Sequence, residues 1–247
     1  MTGPAEERAY LRDLVERLRT LLEEELVGVY VGGSYALGDY DRSRSDLDVA
    51  AVVKSPLAPA TKATIADAAR HEALPCPARG LELVVYTAVA AASPTTEASF
   101  ELNLNTGATV PFRADVEPVA GELHWFAIDR SILRSCGIAL VGPPAKDVFG
   151  SAPASALRPV LAGALRWYRH GGRRDDAVLN ACRSLRFAAE GVWSSKAAAG
   201  RWALDAPAGT EDPGLVTDAL EARATGAELD ARRVDAFLAR AVERLVR

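Results

Sequence analysis

The sequence predicts an α+β protein: a mixed-sheet domain over residues 1–150 followed by an α-helical bundle domain over residues 151–247. Three observations predict it. The first 90 or so residues alternate helical periodicity with short apolar runs of strand length, and beyond about residue 120 only helical periodicity is read. Between the two regimes, VGPPAKDVFGSAPAS (residues 141–155) carries three prolines and two glycines, the composition of a linker.

Each element has its own signal. Residues 5–26 place Leu11, Leu14, Val15, Leu18, Leu21, Leu22 and Leu26 at helical spacing with charges on the opposite face, an amphipathic helix. LVGVYV (26–31) reads as a strand, ended by Gly32-Gly33-Ser34. After the polar stretch GDYDRSRS comes a second strand, SDLDVAAVV (45–53), then a proline-containing linker, a helix near 60–74 and a third strand, GLELVVYT (80–87). The helices expected later are residues 121–137, 154–170, 176–191, a short one at 195–204, and 227–247. In the last, Val234, Phe237, Leu238, Ala241, Val242 and Leu245 form one face, read as core packing rather than a membrane surface.

Composition narrows the partners. With 33 acidic and 29 basic residues the net charge is −4, which lacks the basic excess of a nucleic-acid binder and suits a cationic small molecule better. Cys76, Cys136 and Cys182 are odd in number and widely spaced, so neither a disulfide framework nor a zinc knuckle is indicated. No stretch resembles a signal peptide or a membrane span, and a cytoplasmic monomer with no nucleic-acid or membrane partner is expected.

The chemistry concentrates in GVYVGGSYALGDYDRSRSDLDVAAVV (28–53). Alternation along a strand puts Asp46 and Asp48 on one side while Leu47, Val49, Ala51 and Val53 face the core. Paired carboxylates make a hard oxygen site that suits Mg²⁺ completed by phosphate oxygens and water. The glycine turn lets backbone N–H groups approach a phosphate, and Ser34 adds a hydroxyl at the start of the following helix, where the dipole favours an anion. Turn and acid pair together suggest a site for a metal–nucleoside triphosphate. On the third strand Glu82 shares a face with Val84 and Tyr86, a lone carboxylate that is either a metal ligand or a general base for an acceptor hydroxyl. His71, His124 and His170 lack metal-ligand spacing.

The pattern Gly33-Ser34, Asp46-x-Asp48 and a later strand acid resembles the nucleotidyltransferase superfamily with the DNA polymerase β palm fold. GIALVGPPAKDVF, VLNACRSLRF and SKAAAGRWAL resemble segments of the aminoglycoside adenylyltransferases that act on streptomycin and spectinomycin. The resemblance implies transfer of AMP from ATP to a drug hydroxyl with release of pyrophosphate. Ser34, next to Gly33, would bind the triphosphate; Asp46 and Asp48 would hold Mg²⁺; and Glu82 would be the base. Lys196 and Arg183 would reach the nucleotide from the helical domain, with ATP in the cleft between domains. Where streptomycin-acting members carry a drug-contacting tryptophan this chain has Gly107, and at an acidic drug contact it has Arg173. Trp167, Asp175 and Asp176 are the candidate replacements, with Trp193 a further possible lining residue. Two alternatives stay open: the same chemistry on another metabolite or a protein, and a nucleotide-binding protein without turnover.

Overall fold

The computed structural model describes residues 4–119, 123–206 and 209–247, and the chain divides into two compact units, Met1–Ser151 and Ala152–Arg247. In the first unit, helix α1 (Ala5–Leu22) buries Leu11, Leu14, Val15, Leu18 and Leu22 of the predicted stripe, adds Tyr10, leaves Leu21 half-buried and ends before Leu26, which opens the first strand. A 3₁₀ turn over Glu23–Glu25 takes the place of its expected last residues. Strand β1 (Leu26–Val31), the single-turn helix α2 (Gly33–Ala36), strand β2 (Leu47–Val53), helix α3 (Pro59–Ala69) and strand β3 (Leu81–Thr87) follow in the predicted order. Residues 70–74, expected to be helical, lie beyond the end of α3.

The chain then continues with α4 (Ala88–Ala92), β4 (Leu102–Thr106), β5 (Arg113–Asp115), α5 (His124–Cys136), β6 (Ile138–Val141) and α6 (Ala145–Val148). Among the described residues the strands form one six-stranded sheet in the order β5-β4-β3-β2-β1-β6. β2 and β3 pair in parallel and every other pair is antiparallel. The parallel pair needs a crossover, which α3 supplies.

Strand β6 corrects the expectation of helices alone beyond about residue 120, and β4 and β5, which the sequence reading lacked, extend the sheet at its other edge. The expected linker, residues 141–155, is narrowed: the division between units falls within it, after Ser151. Residues 141–149 carry the end of β6 and all of α6, and Phe149 is buried edge to face against Tyr30 with ring centroids 5.1 Å apart, so this part of the segment is core rather than connection. Helix α5 begins at His124, and residues 121 and 122 of the expected helix lie outside the described residues.

Both faces of the sheet are covered. Leu47, Val49, Ala51 and Val53 pack with Leu81, Leu83 and Val85 against the α1 stripe and Ile65 of α3. Ala50, Val52, Tyr30 and Tyr86 pack on the other side with Phe126, Leu133 and Phe149. The strand face that carries Asp48 is therefore not a solvent face; it is apolar core that opens only near its acidic end.

The second unit contains α7 (Ala154–Tyr168), α8 (Arg174–Glu190), α9 (Lys196–Asp205), α10 (Pro213–Thr225) and α11 (Ala231–Val246). α11 buries Val234, Phe237, Leu238, Ala241 and Leu245 as its periodicity requires, with Val242 half-buried. α10 is an element the sequence reading lacked. Among the described residues no helix is long and apolar enough to cross a membrane.

Candidate active site

The parallel register pairs Asp48 directly with Glu82. Both are second residues of their strands, and neighbouring strands lie roughly 4.8 Å apart, so the two carboxylates stand side by side at one end of the sheet. They line a pocket open to solvent, together with Gly32, Gly33, Tyr86 and Asp129.

The glycine turn forms the roof of this pocket. The Gly32 N–H donates to the Asp48 carbonyl at 2.8 Å, which fastens the turn to β2. Gly33 has φ +51°, and a Cβ there would lie 1.7 Å from Asp48 Oδ2. Glycine is required twice over, by the left-handed backbone and by the carboxylate packed against it. Ser34 follows, half-buried in α2. That helix is only Gly33–Ala36, so the extended dipole expected behind Ser34 is absent and any anion binding there rests on local N–H and hydroxyl groups.

Burial and the adjacent carboxylates of Asp48, Asp46 and Asp129 raise the Glu82 carboxyl well above the usual range, with Arg79 opposing them. Asp129, which sequence reasoning missed, comes from α5. Its signal was an acid on the buried stripe of a helix, between Phe126 and Leu133. The Tyr86 hydroxyl is buried without a hydrogen-bond partner at the same pocket, where burial first and Asp129 second push its pKa far above the ordinary phenol value.

Asp46 acts on Glu82 from just outside the strand. It precedes β2, forms an ion pair through Oδ2 with Arg79, and leaves Oδ1 buried without a hydrogen-bond partner. Among the described residues no three metal-ligating side chains converge. The donor set still fits Mg²⁺, which takes one or two carboxylates and fills its remaining positions with phosphate oxygens and water. An orphaned buried oxygen on Asp46 and the pocket-facing Asp48 are the two donors that would hold it.

In the second unit Lys196 opens α9, behind the Ser195 hydroxyl that caps the helix by accepting from the Ala198 N–H at 3.1 Å. Its side chain is 22% exposed, and its ammonium lies 3.0 Å from Asp176 Oδ1, an oxygen that also accepts from Arg223 Nη1 at 3.0 Å. Burial lowers the Lys196 pKa; Asp176 opposes this, while nearby Arg183 and Arg223 add to it. Asp176 is thus committed to cations of its own unit, and Asp175 is buried with an ion pair to Arg173 at 3.3 Å. Trp167 is half-buried against Tyr168, whereas Trp193 is buried in a stack on Phe187 and is a packing residue. Gly107 has no room for a side chain, since a Cβ would meet the Arg79 carbonyl at 2.4 Å.

Residues 11–75 match the family model of the nucleotidyltransferase domain, a span that contains Gly33, Ser34, Asp46 and Asp48 and ends before Glu82. No curated protein sequence matches the chain. The fold is similar to that of the spectinomycin adenyltransferase AAD(9) from Enterococcus faecialis, whose crystal structure was determined with ATP and spectinomycin. The TM-score is 0.69 at 17% identity, over 97% of this chain and 99% of that one.

Proposed function

We propose that this chain, a nucleotidyltransferase by its domain match and its fold, transfers AMP from ATP to a hydroxyl of an aminoglycoside or aminocyclitol and releases pyrophosphate. The observation that carries the reading is Asp48 beside Glu82 under the Gly33 turn, on a fold shared along nearly its whole length with a protein crystallised with ATP and spectinomycin. A resistance function follows if the acceptor is a drug.

Asp46 and Asp48 would hold Mg²⁺, which when bound offsets charge on the phosphates and orients them. Glu82 accepts the proton of the acceptor hydroxyl as that oxygen bonds to the α-phosphorus. The bond from the α-phosphorus to the bridging oxygen breaks, and its electron pair leaves with pyrophosphate. A carboxylate with raised proton affinity suits this task, because a base works best with a pKa near the operating pH. Ser34 would donate to the triphosphate, and Lys196 and Arg183 are the further phosphate contacts the resemblance implies.

A second reading keeps the chemistry and changes the acceptor to another metabolite or a protein. Gly107 motivates it, since no side chain fits there and the tryptophan contact of the streptomycin-acting proteins is absent, which weighs against streptomycin though not against other drugs. One experiment separates the readings: incubation with Mg-ATP and a panel of aminoglycosides and aminocyclitols, read by mass. Adducts of one AMP on a drug support the first reading. Hydrolysis or protein modification with no drug adduct supports the second.

A further inference from the structure

We propose that Arg79 is a positioning residue that holds Asp46 as its counter-ion in the metal-free protein and gives it up when a divalent cation binds. The inference rests on reading Asp46 and Asp48 as the metal's ligands. Nothing in the sequence motif or the comparisons assigns a role to Arg79.

The backbone brings the two residues together. The Arg79 N–H donates to the Ser45 carbonyl at 3.2 Å and the Leu47 N–H to the Gly80 carbonyl at 2.9 Å, so the two chain segments are fastened together on either side of Asp46. The carboxylate then lies against Gly80, where an added Cβ would stand 2.9 Å from Asp46 Oδ1. The two partners are unequal. The Asp46 side chain is 11% exposed and that of Arg79 is 48% exposed. A half-exposed guanidinium returns to water at small cost, whereas a buried carboxylate needs another cation in exchange. Its Oδ1 has no hydrogen bond to lose. Asp48 and Glu82 line the pocket, and Asp46 does not figure in that lining while Arg79 engages it. Moving Asp46 from the guanidinium to a cation at Asp48 would complete a two-carboxylate site without rearranging the strands.

Two measurements on the full chain test this. Calorimetric titration with Mn²⁺ alone, without nucleotide, compares wild type, Arg79→Gln, Arg79→Lys and Asp48→Asn. Arg79→Gln should bind the metal about fivefold more tightly, the effect of removing a competing partly exposed ion pair, while Arg79→Lys stays near wild type. Separately, the side-chain Nε–H resonance of Arg79, assigned by its loss in Arg79→Lys, should move on titration of wild type with Mg²⁺ and stay still in Asp48→Asn. This second readout does not depend on Arg79→Gln folding, and it separates direct release from a diffuse charge effect. A metal-binding wild type whose Arg79 signal does not move overturns the inference and leaves the metal assignment standing, as does unchanged affinity in Arg79→Gln. A wild type whose metal binding is unaffected by Asp48→Asn overturns both.

Discussion

Asp48→Asn removes one negative charge and almost no volume, which separates the chemistry of the site from its packing. The side chain is only half-buried and the substitution is nearly isosteric, so the fold should persist while nucleotidyl transfer is nearly abolished. Circular dichroism together with a turnover assay checks this, and near wild-type turnover would remove the metal role. Glu82→Gln tests the neighbouring carboxylate in a different way. Turnover should fall by about 10²–10⁴-fold, the usual contribution of a general base, while Mg-ATP still binds. Because Glu82 must be ionised to accept a proton, the wild-type rate should fall as pH drops through its pKa, on a limb displaced upward from the ordinary carboxylate position. The same displacement has a stability consequence of fixed sign. A carboxyl whose pKa is raised on folding loses stabilisation as pH climbs above the ordinary value of 4.5 towards its folded value. Metal-free Glu82→Gln should therefore melt higher than wild type at neutral pH and lose that advantage in acid, by calorimetry. An advantage independent of pH would show that Glu82 is not the titrating group.

At the scale of elements, the segment between α2 and β2 is tied to α1 by one buried carboxylate. Glu7 Oε1 accepts from Arg42 Nε at 2.7 Å and from the Tyr40 hydroxyl at 2.9 Å, and Oε2 accepts from Arg42 Nη2 at 2.8 Å. The hydrogen bond from Arg42 holds the Glu7 carboxyl below its usual range against the cost of burial. The stabilisation it gives is present above the ordinary pKa of 4.5 and lost as pH falls through the folded value. Glu7→Gln should lower the melting temperature by several degrees at pH 7 and leave a smaller difference in acid, and an equal difference at both pH values would refute the linkage. Legibility in the sequence followed the strength of each local pattern. LVGVYV and SDLDVAAVV announce strands because their apolar runs are long, and α1 and α11 announce helices because their stripes are wide. β4 reads Leu-Asn-Leu-Asn-Thr, an alternation half made of residues that favour turns, and β5 has three residues, too few for any period. β6 ends in the Gly-Pro-Pro segment that reads as linker, although tertiary packing of Phe149 makes that segment core. α10 buries Leu215, Val216, Ala219 and Ala222, a stripe too small in side-chain size to stand out.

At the scale of the whole molecule, the site divides by sequence distance. Gly33, Ser34, Asp46 and Asp48 lie within one local motif, and Glu82 was found because a strand period singles out a lone acid. Asp129 and Arg79 could not be placed, because only the folded sheet brings α5 and the start of β3 to the motif. Lys196 is the most distant member of the proposed set, and its assignment came from resemblance alone. Its surroundings give that assignment a physical test. The ammonium is partly buried, shares the single oxygen Asp176 Oδ1 with Arg223, and has Arg183 near enough to depress its pKa. Three cations near that carboxylate suit the binding of a phosphate there. Lys196→Ala leaves Asp176 still paired with Arg223, so the helical unit should keep its melting behaviour. ATP affinity should nevertheless weaken by about ten- to a hundredfold, the effect of one lost charge-assisted hydrogen bond of ~1.5–3 kcal/mol. Lys196→Arg, which keeps the charge but not the compact ammonium, should recover part of it. If ATP binds Lys196→Ala as tightly as wild type by calorimetry, the lysine serves Asp176 alone and the helical unit's part in nucleotide binding must be carried by other residues.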